Sequence, residues 1–124
     1  MHGTQHRIET RRFERADEAL DFADHGRIDI LKLADGTTGM HAVLKPGWTW
    51  TGDEKPLLGN PDACPMSHTG YCIGGELVVT MVESGAETHL RPGDFFEIPP
   101  GHDAYVVGDR ACELILFAPP EHAD

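Results

Sequence analysis

Three residues of this chain combine the types and the positions needed to bind one transition metal. Cys64 and His68 lie four residues apart where an irregular segment leads into a strand, so both side chains can reach one point. His102 follows a Pro-Pro-Gly turn later in the chain. A thiolate with two imidazoles suits Zn, Fe, Ni or Cu better than Mg or Ca. We therefore predict that Cys64, His68 and His102 hold a divalent transition metal.

Each of these side chains also has a simpler interpretation. Cys64 is equally explained as a packed or surface thiol, and His68 as a hydrogen-bonding residue. His102 can instead cap its turn or pair with Asp103. A nucleophilic Cys64 activated by the His68 imidazole is a further alternative, although nothing in the sequence identifies an oxyanion hole. These alternatives stay open at the level of sequence.

Four other residues are candidates for binding a small molecule. Lys55 can anchor an anionic group, and Asp53 can supply an oxygen donor. Trp50 and Tyr105 can form walls of a pocket, because ligand cavities are lined mainly by apolar and aromatic side chains. A hydrophobic core role for the aromatic residues and a solvated role for the charged ones are the alternatives.

Composition excludes several classes of partner. The chain has 124 residues, with 10 Lys plus Arg against 21 Asp plus Glu, for a formal charge of −11. Nucleic acids and anionic membrane surfaces are poor partners for such a protein. No run approaches the ~18 apolar residues of a membrane span, and the first residues lack the apolar stretch of a secretory signal. Three cysteines, an odd number, argue against a disulfide framework. We expect a cytoplasmic protein.

The elements that must position these residues are mostly strands. A helical period predicts one short helix over 14–24, ending before Gly26. Alternating apolar residues and turn signals then predict strands over 27–34, 39–45, 69–73, 76–82, 87–90, 94–98, 103–107 and 112–118. The segment 48–67 has no period, which is typical of a functional loop. Many short strands joined by tight turns indicate an antiparallel sandwich or barrel.

Three turn motifs carry a resemblance to a known family. HTGYCIGGEL (68–77) and RPGDFFEIPPGHDAYVV (91–107) resemble the two motifs of the cupin superfamily, and KPGW (45–48) is similar to the Pro-Gly turn before the first motif. The resemblance implies an all-β, cupin-type β-barrel, a double-stranded β-helix or jelly roll, with the short N-terminal helix outside it. We expect a single domain over 1–124, made of an extension (1–26) and a barrel (27–118).

The resemblance also implies where metal ligands should lie, and the chain departs from that pattern. The two positions of the family's HxH pair correspond to Asp53 and Lys55, and its Glu position to His68. Its last His position corresponds to Ala104, while His102 lies two residues earlier. In a cupin this turn brings the second motif beside the first, which is why His102 joins the predicted ligand set.

Three functional hypotheses follow. The first is a metal-dependent cupin that binds or transforms a small polar molecule, with chemistry of the oxygenase, isomerase, lyase or cyclase type. The second is a metal-free sensor or binding module, and the third is an interaction scaffold. Small cupins commonly dimerise, and the strand-like segment RIETRRF (7–13) can add to a neighbour's sheet edge. We therefore also predict a homodimer.

Overall fold

A computed structural model describes residues 7–120, which form two antiparallel sheets. One sheet has the strand order β1-β2-β3-β9-β4-β7 and the other β6-β5-β8. Two antiparallel sheets with little helix confirm the all-β prediction. The strands are β1 (Glu18–Asp21), β2 (Gly26–Lys32), β3 (Thr38–Leu44), β4 (His68–Gly74), β5 (Leu77–Met81), β6 (Glu87–Leu90), β7 (Phe95–Ile98), β8 (His102–Val106) and β9 (Cys112–Ala118).

The predicted N-terminal helix over 14–24 is wrong. The chain forms a single 3₁₀ turn at Phe13–Arg15, then strand β1, then a second 3₁₀ turn at Ala23–His25. Strand β1 pairs with β2, and Leu20, opposite Ile28, packs partly buried against the core. An isolated helix of this length is marginal in water, so pairing with an available sheet edge outweighs the local period. No helical segment within residues 7–120 is long and apolar enough to cross a membrane.

The core lies between the two sheets. Strand β4 shows why the sequence folds this way, because its side chains alternate between inside and outside. Gly70 and Cys72 are buried, whereas Tyr71 and Ile73 are exposed. The same alternation on β8 places Ala104 inside and leaves its neighbours more exposed. Alternating burial is expected for strands of an antiparallel sheet that faces the core on one side.

The segment between β3 and β4 is held to strand β8 at two places. Thr49 forms an isolated bridge with Tyr105, and Cys64 forms another with His102. The second bridge includes a hydrogen bond from the Cys64 N–H to the His102 carbonyl at 2.9 Å. Between the bridges the chain makes a π-helical turn at Trp50–Glu54 and a 3₁₀ turn at Lys55–Leu58. This segment, predicted as a loop, therefore lies against β8.

Candidate metal and ligand site

A cavity of about 190 Å³ lies between the two sheets. Its walls are almost entirely apolar, and Glu54, His68 and His102 supply its polar groups. Leu58 and Met66, which are partly exposed, also line it. The other lining residues are Leu20, Ile28, Ile30, Met40, Ala42, Leu44, Trp48, Trp50, Leu77, Val79, Ile98, Ala104, Leu114 and Leu116.

Cys64, His68 and His102 come together at this cavity. Their donor atoms all lie within 4.8 Å of one another. The Sγ atom of Cys64 is 3.7 Å from Nε2 of His68, and the two imidazole rings meet edge to face with centroids 5.2 Å apart. Ligands of a tetrahedral zinc ion, with bonds of 2.0–2.3 Å, are roughly 3.3–3.7 Å apart. The three side chains therefore fit a transition metal if their donor atoms move together by at most about 1.5 Å.

The hydrogen bonding of His102 prepares its ring for ligation. The Nδ1–H group donates to the carbonyl oxygen of Pro99 at 2.8 Å, which leaves the lone pair on Nε2. Metal-binding histidines usually donate their second ring N–H in this way, and the bond fixes both tautomer and orientation. The Pro-Pro-Gly turn before β8 is thus part of the site.

Burial keeps both histidines neutral. It lowers the pKa of His68 to about 4, with a smaller effect from the neighbouring His102. Burial also lowers the pKa of His102, partly opposed by its hydrogen bond to Pro99. A neutral imidazole has a free lone pair, whereas a protonated one repels a cation. Both rings are therefore in the ligating form at neutral pH.

Cys64 lies behind the histidines, away from the cavity surface. Its side chain is 1% exposed, and burial raises the pKa of its thiol, with a further contribution from the negative charge of Glu54. The free protein therefore holds a thiol here. A bound metal cation favours the thiolate, so metal binding at this position would displace the proton.

Glu54 is the residue of the cavity that sequence analysis missed. It lies at the end of the π-helical turn, and burial raises the pKa of its carboxyl group to about 7. Sequence analysis considered its neighbours Asp53 and Lys55 because the resemblance placed the family's HxH positions there. The chain turns at this point instead of continuing as a strand, so the inward side chain is the one between them. A single glutamate in an irregular segment carries no sequence signal for this.

The four residues predicted to bind a small molecule do not all lie at the cavity. Trp50 is 2% exposed and lines the cavity. Lys55 is not a lining residue, and Asp53 points away to accept hydrogen bonds from His25 Nδ1 and the Thr49 N–H. Tyr105 is 42% exposed because strand alternation turns it outward. Of the four residues predicted to bind a small molecule, Asp53, Lys55 and Tyr105 therefore do not line this cavity.

Comparison with solved structures shows the fold. The polyketide cyclase RemF from Streptomyces resistomycificus superposes with a TM-score of 0.63 at 15% identity, over 95% of this chain and 83% of that one. The Fe(II) form of HppE gives 0.61 at 10% identity, over 89% and 59%. A cupin-like protein from Thermotoga maritima gives 0.53 at 17% identity, over 76% and 68%.

These similarities define the protein as a small cupin-fold domain. No protein-family model matches the sequence, and no curated protein matches it either. The resemblance drawn from the three turn motifs is thus confirmed at the level of the fold. At identities of 10–17%, function has to be argued from the site itself.

Proposed function

We propose that this protein is a metal-dependent cupin in which Cys64, His68 and His102 hold a divalent transition metal beside a pocket for a small molecule. The observation that carries the proposal is the convergence of one sulfur and two imidazole donors within 4.8 Å at the wall of a cavity. Such a donor set suits Zn, Fe, Ni or Cu. The similarity to the Fe(II) form of HppE supports a metal site in this fold.

The surroundings of the three donors support this assignment. His102 is already oriented by Pro99, and burial leaves both imidazoles neutral. A metal held there supplies a Lewis acid or activates water or dioxygen. The chain itself contributes an apolar cavity beside the metal site. It also contributes one carboxyl group, that of Glu54, which can hold or accept a proton there.

A metal-free binding module is the second candidate. The apolar cavity favours it, because such a pocket can hold a ligand without any metal. In that case His68 and His102 only provide hydrogen-bonding groups to the pocket. The two candidates differ in one measurable property, which is the affinity of the protein for a transition metal.

Titration of chelator-treated protein with Zn(II), Ni(II) and, without oxygen, Fe(II) tests the proposal. We expect one ion per chain, and at least tenfold weaker binding in His68→Ala, since each ligand contributes directly to affinity. Co(II) should show a thiolate-to-metal charge-transfer absorption that is lost in Cys64→Ser. Binding should also weaken on acidification, because the ligands must be deprotonated.

The matched control is His89→Ala. His89 lies on β6 beside Glu76 and outside the cluster, so its removal should leave metal affinity unchanged. Equal affinities for wild type and His68→Ala would remove His68 from the site. Absence of binding in the wild-type protein would contradict the metal proposal and favour the metal-free pocket.

A further inference from the structure

Three buried polar atoms lack a hydrogen-bond partner within residues 7–120, and all three belong to side chains that line the cavity. They are Nε1 of Trp48, Nε1 of Trp50 and Nδ1 of His68. The N–H of Trp50 lies close enough to the Cys64 sulfur to lower the pKa of that thiol, although it makes no hydrogen bond within the ordinary distance and angle limits. Buried polar groups in folded proteins are nearly always paired. The two indole N–H groups are donors on side chains that line one cavity, so they favour a ligand that carries an acceptor oxygen.

The two indoles are firmly held. Trp48 is 3% exposed and packs against Phe22, with the ring centroids 5.9 Å apart. Trp50 is 2% exposed. Neither N–H can turn to solvent without disrupting the core. Each unpaired buried donor carries a desolvation cost, and a ligand oxygen in the cavity would remove it.

The size of the cavity limits the ligand. An engineered cavity of about 150 Å³ holds benzene in another protein. The cavity here, about 190 Å³, has room for one six-membered ring and a few further atoms. Its aliphatic and aromatic walls favour an apolar body over a sugar or a highly hydrated molecule.

Without a bound metal, the charges around the cavity disfavour an anion. Among residues 7–120, no lysine or arginine lines it, and Lys55 lies outside. Glu54 is the acidic side chain in the wall, so in metal-free protein a carboxylate ligand would be buried next to a carboxyl group with no cation to balance it. The ligand of the metal-free cavity should therefore be neutral.

We infer that the cavity binds a small neutral molecule, about one ring in size, whose hydroxyl or carbonyl oxygen accepts a hydrogen bond from the buried indoles. This inference rests on the proposed function for its location and narrows it to a substrate class. It replaces the small polar molecule expected from sequence with a mainly apolar one. It needs no bound metal, so it can be tested in metal-free protein.

Phenol, toluene and benzoate form a matched set of probes for chelator-treated protein, measured by calorimetry or ligand-observed NMR at pH 7. Phenol and toluene share a benzene ring and differ in one substituent, which is a hydroxyl group in phenol and a methyl group in toluene. We expect phenol to bind about 3- to 10-fold more tightly than toluene, as one buried neutral hydrogen bond provides. Benzoate should bind at least 10-fold more weakly than phenol.

Trp48→Phe and Trp50→Phe remove one N–H each while retaining an aromatic ring. At least one of them should reduce the phenol-to-toluene affinity ratio towards one. Any change in cavity volume affects both probes, so the ratio isolates the hydrogen bond. Tyr105→Phe, outside the cavity, is the control and should leave the ratio unchanged.

Three results would overturn the inference: benzoate binding as tightly as phenol, equal binding of phenol and toluene to the wild type, or an unchanged ratio in both tryptophan variants. The first two results are measured in the wild type and do not depend on whether a variant folds. Since metal is absent throughout, failure here leaves the metal titration above unaffected, and failure of that titration leaves this measurement unaffected.

Discussion

The carboxyl group of Glu54 links the apolar cavity to the pH dependence of stability. Its pKa is about 7 in the folded protein because of burial, against an ordinary value of 4.5. Between these two values the folded state binds more protons at Glu54 than the unfolded state does. The contribution of Glu54 to the free energy of unfolding therefore falls as pH rises from about 4.5 to 7.

Replacing Glu54 with Gln should remove this dependence while retaining shape. Relative to wild type, Glu54→Gln should become progressively more stable as pH rises through that window, by up to about 3 kcal/mol at pH 7 and above. Urea denaturation of metal-free protein at pH 4.5, 5.5, 6.5 and 7.5 measures the difference. Glu97→Gln, at an exposed position on β7, controls for loss of one charge. A difference that is constant over this range would contradict the burial of the Glu54 carboxyl group.

At the level of single residues, a candidate metal site could be predicted because its side chains are of types that bind transition metals. The types of Cys64, His68 and His102 and the motifs around them predict a shared metal site, and the structure brings the three side chains together; the metal itself stays a prediction. Glu54 could not be identified, because its direction depends on a π-helical turn. Tyr105 was placed in the pocket, although it is one residue out of phase with the inward positions of β8.

Strand β4 carries His68 and packs closely through Gly70. A Cβ atom at Gly70 would lie 2.4 Å from the carbonyl oxygen of Ile115 and 2.9 Å from Cζ of Phe96. These atoms belong to β9 and β7, the two neighbours of β4 in the sheet. Because Gly70 has no side chain, β4 can lie close to both of its neighbours. This close fit also determines the position of His68, the first residue of the strand.

Gly70→Ala should lower the free energy of unfolding by about 1–3 kcal/mol through overpacking. Gly74→Ala is the matched control on the same strand, because a Cβ atom there meets only Glu113 at 4.0 Å. It should change stability by less than about 0.5 kcal/mol. Chemical denaturation of both variants gives the comparison. Equal stability of Gly70→Ala and wild type would show that β9 or β7 can move without cost.

At the level of elements, the eight predicted strands are present and the helix is not. Strands from 27 onwards were identified because short alternating runs are bounded by Gly, Pro and Asp, and these signals are local. The stretch over 18–21 has no such signal, and becomes a strand because β2 offers a free edge. Pairing of this kind depends on the rest of the molecule, so it cannot be deduced from the segment itself.

On the outer face of the six-stranded sheet, four apolar side chains form an exposed patch: Tyr71, Ile73, Phe95 and Phe117. Phe95 is 70% exposed, and its ring stacks on Phe117 with centroids 6.2 Å apart. Contiguous apolar patches of this kind commonly mark interaction surfaces. The homodimer predicted from sequence remains a prediction, and this sheet face is an alternative to the N-terminal segment as its interface.

Light scattering distinguishes the two interfaces. We expect a particle of twice the 13.6 kDa chain mass, reduced to the monomer in Phe95→Glu and unchanged in Ile8→Glu. Ile8 lies in the N-terminal segment and is 94% exposed, so it is the matched control. The reverse pattern would assign the interface to the N-terminal segment. A wild-type protein of monomer mass would exclude the dimer altogether.

The bridge between Cys64 and His102 allows the lining of the pocket to vary while these two residues keep their positions. The backbone hydrogen bonds of that bridge fix the spacing of two proposed metal ligands, and they do not depend on the side chains between residues 51 and 63. That intervening stretch instead supplies Glu54 and Leu58 to the cavity. Changes of its length or sequence would therefore alter which molecules enter, while the donors keep their positions. The fold is in this sense modular, because the pocket can vary around a constant frame for the proposed metal site.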